Sequence, residues 1–177
     1  MLSDQEKARR KRERMLEKAR EYTTGTYKNK FVSPVFQRMI RAEAAARPDF
    51  YFPAIVDGEL AEVDREIGVC VCITCGKIDW WSSGLGGMHT GHFLASRANS
   101  ILFQEDNVAP QCSRCNRYHD GEPQRFRQWM LAVRGEETVE RLEQLKRTTV
   151  SFTNEELVNM RIEFQRRLKA AEAILGS

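Results

Sequence analysis

Residues 68–120 read GVCVCITCGKIDWWSSGLGGMHTGHFLASRANSILFQEDNVAPQCSRCNRYHD, and two cysteine pairs within them decide the fold. Cys72 and Cys75 form one C-x-x-C knuckle and Cys112 and Cys115 a second, with 36 residues between the pairs. Each knuckle can place two thiolates about 2.3 Å from one ion, so together they predict a closed, tetrahedral, four-cysteine zinc site. A redox pair would need only one motif, and buried free thiols would not repeat the spacing. A closed shell leaves no position for water, so this zinc is structural rather than catalytic. Cys70 is the spare cysteine. Periodicity is weak across the same stretch, the pattern of a small fold in which an ion replaces the core that so few residues cannot build.

Upstream, residues from Ser3 to about Tyr22 are good helix formers with almost no apolar face beyond Met15 and Leu16. They predict a helical arm, marginal alone, that orders on a partner. Thr23 to Phe31 (TTGTYKNKF) has turn residues and reads as a linker. Ser33-Pro34 then starts a helix, with Val35, Phe36, Met39 and Ile40 on one face and Arg47-Pro48 closing it. Residues Asp49 to Glu66 carry six acidic side chains against one Arg and read as a loop with short strands. Downstream, Phe126, Trp129, Met130 and Val133 make the stripe of a helix that stops at Gly135, and Val139, Leu142 and Leu145 mark a short one. Thr153 and Glu156 form a capping box for a last helix whose face runs from Leu157 to Leu175.

The net charge of +3 conceals a split: residues 1–48 carry a balance of +7 and residues 49–177 one of −4. Lys7 to Arg14 hold six basic side chains in eight, including Arg9, Arg10, Lys11 and Arg12. That density suits phosphate neutralisation and points to nucleic acid, whereas the bland alternative is a solvated helix. No run approaches the ~20 apolar residues of a membrane span and no apolar signal segment opens the chain, so a soluble, non-membrane and non-exported protein is expected. Five cysteines without an export signal argue for metal binding rather than disulfides.

All three histidines, His89, His92 and His119, fall beside the knuckles, together with Asn107 and Asn116. Alone, each would be read as a solvent-facing or hydrogen-bonded side chain. Together they offer a neutral imidazole that can take a proton from water, and amide oxygens suited to a hard cation such as Mg²⁺.

The order C-x-x-C, Gly-His, the Asn of EDNVAPQC and C-x-x-C-Asn resembles the HNH or ββα-metal nucleases. More closely, CITCGK, HTGHFLASR and LFQEDNVAPQCSRCN, followed by FRQWMLAVRGEETVERLEQL and FTNEELVNMRIEFQRRLKAAEAIL, resemble the phage lambda NinG (Rap) recombination proteins over about residues 68–175. The basic N-terminal arm fits loosely, and the four-cysteine plus Cys-Asn pattern is also similar to phage endonuclease VII.

The resemblance implies an α+β chain with a small zinc-stapled ββα-metal (HNH-like) core at residues 68–125. Around it lie a basic arm and linker (1–32), a helix and acidic connection (33–67) and C-terminal helices (126–177) that could form a homodimer. It implies a structure-specific endonuclease on branched recombination intermediates, Holliday junctions and D-loops, using Mg²⁺ or Mn²⁺ beside the structural Zn²⁺. His92 falls on the general base, Asn107 on the residue that braces the hairpin loop, and Asn116 on the metal ligand. One departure matters: the residue before the base is commonly a metal-binding Asp or His, and here it is Gly91. His89 stands where the lambda-like pattern has an Asp and is the candidate replacement. His119, one turn after Asn116, is a further candidate ligand.

Arg97 and Arg114 are candidates for flanking phosphates. The implied setting is the cytoplasm of a bacterial host. Two rivals share these residues: a non-catalytic zinc-stapled DNA-binding mediator, and an HNH endonuclease cutting linear duplex.

Overall fold

The computed structural model describes residues 2–47, 51–82, 87–95 and 98–176. Arg97 and the proline of the Arg47-Pro48 boundary lie outside these residues. Helix α1 (Asp4–Arg20) starts at a Ser3–Glu6 capping box. It is not a free arm. Met15 and Leu16 pack on the core, Ala19 is fully buried, and Asn154 Nδ2 donates to the Ala19 carbonyl at 3.2 Å. The Arg12 guanidinium is drawn into an ion pair with Glu155 and a 3.1 Å bond to Asn159 Oδ1. So narrow an apolar face suffices when a second helix supplies the other wall.

The expected linker is also helical. α2 (Thr24–Tyr27), a π-helical turn (Lys28–Val32) and α3 (Ser33–Ala46) follow one another without a break. Burial of Tyr27 and Val32 outweighs the turn chemistry of the sequence. In the π-helical turn Ser33 N–H bonds the Lys28 carbonyl, five residues back. That widening lets the helix run into Pro34, which lacks an N–H and would clash with the carbonyl one turn behind it in a regular helix. Buried Arg65 closes α3, its guanidinium donating to the Ala45, Arg47 and Val69 carbonyls.

Three antiparallel hairpins follow: β1 (Tyr51–Val56) with β2 (Glu59–Asp64), β3 (Val69–Val71) with β4 (Ile78–Trp80), and β5 (His89–His92) with β6 (Val108–Gln111). The acidic segment is therefore a regular hairpin, closed by Asp57-Gly58 with φ of 50° and 91°, the two positive angles of a type I′ turn. After β6 come a wide helical turn (Arg114–Tyr118), α5 (Pro123–Trp129) extended by a second wide turn to Arg134, α6 (Glu136–Lys146) and α7 (Asn154–Leu175). α4 (Asn99–Leu102) sits in the long β5–β6 connection. The capping box at Thr153 and the stop at Gly135 are as the sequence predicts.

The β5–β6 hairpin is a wall between two apolar clusters. Val108 belongs to a cluster with α3, α7 and three of the knuckle cysteines, while its neighbour Ala109 belongs to one with Ile55, Ile73, Phe126, Trp129 and Leu142. Alternation along one strand thus feeds both cores. The C-terminal helices do not form one unit. α7 packs chiefly on α3 and α1, whereas α5 packs on β1. The Leu157–Ala171 face of α7, a natural dimer seam on paper, is buried inside the chain. Arg167 on α7 locks this arrangement through a two-pronged pair with Glu43 of α3 and a second pair with Glu105.

Candidate metal centre and active site

The two knuckles converge. Cys72 N–H bonds the Lys77 carbonyl, and Gly76 N–H returns to the Cys72 carbonyl at 2.8 Å, which folds Cys72–Lys77 into a tight loop with both sulfurs on one side. The second knuckle is held by Asn116 N–H on the Cys112 carbonyl and Gly121 N–H on the Cys115 carbonyl. The sulfurs of Cys72, Cys75, Cys112 and Cys115 lie within 4.8 Å of one another, and those of Cys75 and Cys112 are 3.8 Å apart. A tetrahedron with 2.3 Å metal–sulfur bonds has an edge of about 3.8 Å, so the cluster can hold a zinc ion. Burial pushes the Cys75 thiol up to about 11 and raises Cys115 as well. Cys72 is also raised by burial but ends below its ordinary value, because the Thr74 hydroxyl and the Cys112 and Thr74 N–H groups bond its sulfur. Cys70 takes no part: its thiol donates to the Arg41 carbonyl, and burial pushes it up to about 12.

Beside the knuckles, the structure joins two of the sequence candidates. Asn116 Nδ2 and His89 Nδ1 are 3.3 Å apart. His89 pairs with Gln111 across the hairpin and Gly91 with Ala109, so His89, Gly91 and Gln111 share a face. The imidazole of His89 is held below its ordinary value by burial and by the charges of Arg117 and Arg41, which keeps it neutral and able to bind a cation.

His92 points the other way. It shares the opposite face with Thr90, whose hydroxyl donates to the Gln37 carbonyl of α3 and accepts from Arg41. His92 is half-buried, which lowers its pKa, and a hydrogen bond to the Leu102 backbone partly offsets that effect. A ring N–H donating to this carbonyl fixes the tautomer, leaving the other nitrogen as a base. Asn107 braces the same loop. Fully buried, it accepts from Leu94 N–H at 2.9 Å and donates to the Leu94 and Ile101 carbonyls. Because Ile101 adjoins Leu102, the Asn107 amide positions the carbonyl that orients His92.

His119 does not join Asn116. Its Nε2 accepts from Arg114 Nε at 3.3 Å and its Nδ1 faces Glu122 at 3.3 Å. The expectation of i, i+3 proximity assumed a regular helix. The turn here is wide and breaks at His119, whose φ of −120° leaves the helical region. Arg114, expected on a phosphate, is the same residue that holds His119.

Gly91 has a steric cause. A Cβ there would stand 2.0 Å from Gln111 Oε1. Gln111 is fully buried, and its Nε2 donates to Thr74 Oγ1 at 3.1 Å and to the Gly121 carbonyl at 2.8 Å. Since Thr74 Oγ1 also lies 3.3 Å from Cys72 Sγ, this amide ties the first knuckle to the end of the second. Sequence reasoning missed Gln111, and the one signal for it was its place directly before Cys112.

A family model described as Bacteriophage Lambda NinG protein matches residues 3–173. No curated protein and no solved structure matches the chain. No described helix is long and apolar enough to cross a membrane.

Proposed function

The chain belongs to the bacteriophage lambda NinG family, and on that premise, which suggests a role in phage recombination, we propose that it is a divalent-metal-dependent endonuclease cutting branched DNA intermediates. The observation that carries the reading is the 3.3 Å contact of His89 with Asn116, directly beside the four-cysteine cluster. Strand β5, strand β6 and the turn 114–118 run in the order of a ββα-metal unit.

The donor set fits Mg²⁺ or Mn²⁺ as a lightly held ion. An imidazole nitrogen and an Asn116 amide oxygen, brought forward by an amide flip, would leave most of its shell to water, as Mg²⁺ prefers. When bound, such an ion neutralises charge building on the phosphate and on the departing 3′-oxygen. His92 supplies the base. Its free ring nitrogen takes a proton from the attacking water, the water oxygen bonds phosphorus, and the phosphorus–O3′ bond breaks. Asn107 and Leu102 keep the ring oriented, and burial keeps it neutral near pH 7. A second assignment within the same reading is favoured by the His89–Asn116 contact: His89 is the base and Asn116 its orienting partner. Because His92 lies on the opposite face of β5 from the His89–Asn116 pair, base and ion meet at one phosphodiester only where the DNA wraps the edge of this hairpin, and variants of His89 and His92 distinguish the two assignments.

Cleavage of a four-way junction and of a linear duplex of the same sequence, each with Mg²⁺ and with EDTA, tests the reading. Metal-dependent cutting of the junction alone supports it, cutting of both supports a general HNH endonuclease, and binding without cutting supports a zinc-stapled DNA-binding mediator.

A further inference from the structure

The cations of α1 that the density of charge singles out are not equivalent once the helix is docked. Arg9 lies 3.7 Å from Glu13 and Arg12 is paired with Glu155. Lys7, Lys11, Arg14 and Lys18 recur instead at i, i+4, i+7 and i+11, which places them on one face. All four are exposed, and this face flanks the buried Met15–Ala19 side. Among the described residues Lys7 pairs with the surface-exposed Asp4 alone, and Lys11, Arg14 and Lys18 have no carboxylate partner.

At the C-terminal end of this stripe lies a second feature. Lys18 Nζ stands 5.9 Å from the Phe31 ring, and Lys30 Nζ stands 5.5 Å from Phe31 and 5.4 Å from Tyr22. The Arg161 guanidinium lies 5.2 Å from Phe31 and donates to the Tyr27 hydroxyl. Three cations from α1, the π-helical turn and α7 therefore converge on one aromatic group with no carboxylate among them in the described residues. Ring faces hold cations in place without neutralising them. Next along the turn, Lys28 donates to Asn99 of α4, the helix that ends in Leu102, which orients His92.

We propose that Lys11, Arg14, Lys18 and Lys30, backed by the half-buried Arg161, form a track for a nucleic-acid phosphate backbone leading to the His92 loop. The proposal rests on the preceding reading only for its ligand class, since its readout is binding and not cleavage. Elongation favours a strand over a small anion: the track covers about 10 Å of α1 from Lys11 to Lys18, the span of roughly three backbone phosphates, and continues beyond the helix to Lys30. Ring-held, unpaired cations suit a repeating anion because each gains a partner without breaking an ion pair.

The test uses the full zinc-loaded chain and a fluorescent 30-base-pair duplex, with anisotropy read from 50 to 300 mM salt. Lys18→Gln/Lys30→Gln is compared with Lys146→Gln/Lys169→Gln, which removes the same charge from exposed positions elsewhere. The track variant should lose roughly tenfold or more in affinity and reduce the slope of log K against log salt by about 2, while the control keeps the wild-type slope. Lys18→Arg/Lys30→Arg should bind like wild type. Equal losses in the two Gln variants, an unchanged slope in the track variant, or no duplex binding by wild type would overturn the proposal. Binding of polyglutamate as tight as DNA, and lost in the track variant, would reassign the surface to an acidic protein.

Discussion

The carboxamide of Gln111 occupies the volume that a side chain on Gly91 would need, its Oε1 standing 2.0 Å from the position of a Cβ. The position where the resemblance to HNH nucleases would put a metal ligand is given over to packing, and the amide that takes the space bonds Thr74 and Gly121 instead. Restoring the ligand should therefore fail.

Gly91→Asp is expected to destabilise the chain by at least the roughly 1–3 kcal/mol of core overpacking, with no gain in Mg²⁺ affinity. Gly91→Ala should move in the same direction. Urea denaturation of both variants checks this, and wild-type stability in either would mean that Gln111 can move aside at no cost.

One zinc per chain is expected, and its removal should loosen more than the central segment. Cys72, Cys112 and Cys115 lie in the same apolar cluster as α3 and the Leu157–Ala171 face of α7. Chelation, or a Cys112→Ser/Cys115→Ser variant, should lower the melting temperature of the knuckles and of α7 together, in one transition. Metal analysis and helix-sensitive circular dichroism follow the two. A long helical tail that stays fully folded without metal would separate the parts.

Asn107→Ala should leave a Leu94 N–H and two carbonyls without their buried partner, costing about 1–3 kcal/mol. Its effect on cleavage should exceed its effect on DNA binding, because the lost bonds release the loop carrying Leu102. Comparing the rate at saturating DNA with the dissociation constant separates the two. A loss confined to binding would remove the link from Asn107 to His92.

Much of this was legible in the chain. The knuckle spacing gave the sulfur cluster, Thr153 and Glu156 gave the start of α7, and Gly135 the end of the preceding helix, because each depends on residues close in sequence. Asp57-Gly58 carried a hairpin signal that the surrounding acidic charge obscured. The helical course of Thr23–Phe31 was hidden for another reason: its Thr, Gly and Asn residues favour turns locally, and only burial of Tyr27 and Val32 against distant elements reverses that preference. The docking of α1 and the Gln111–Gly91 contact are likewise tertiary. His119 is set toward Arg114 and Glu122 by a wide turn, which local spacing alone does not distinguish from a regular helix.

Acid should weaken the fold through His92. Burial lowers its folded pKa below the unfolded value of about 6.5, so unfolding takes up a proton as the pH falls. This contribution to stability is present above about pH 6.5 and is lost as the pH drops through the folded value. His92→Gln should therefore show a smaller fall in urea midpoint between pH 7.5 and 5 than wild type. An equal fall would mean that the ring titrates as if in water. The same lowered value puts the acid limb of the cleavage rate below pH 6.5.

The most direct measurement is cleavage and binding of a four-way junction by His92→Ala in Mg²⁺, alongside His89→Ala and wild type. With His92 as the base, junction binding and zinc content should be unchanged, while the cleavage rate falls by about 10²–10⁴. His89→Ala should instead show a loss that higher Mg²⁺ partly restores. Wild-type cutting by His92→Ala would contradict the base assignment, and wild-type protein that binds junctions but never cuts them with Mg²⁺ or Mn²⁺ would contradict the nuclease reading itself.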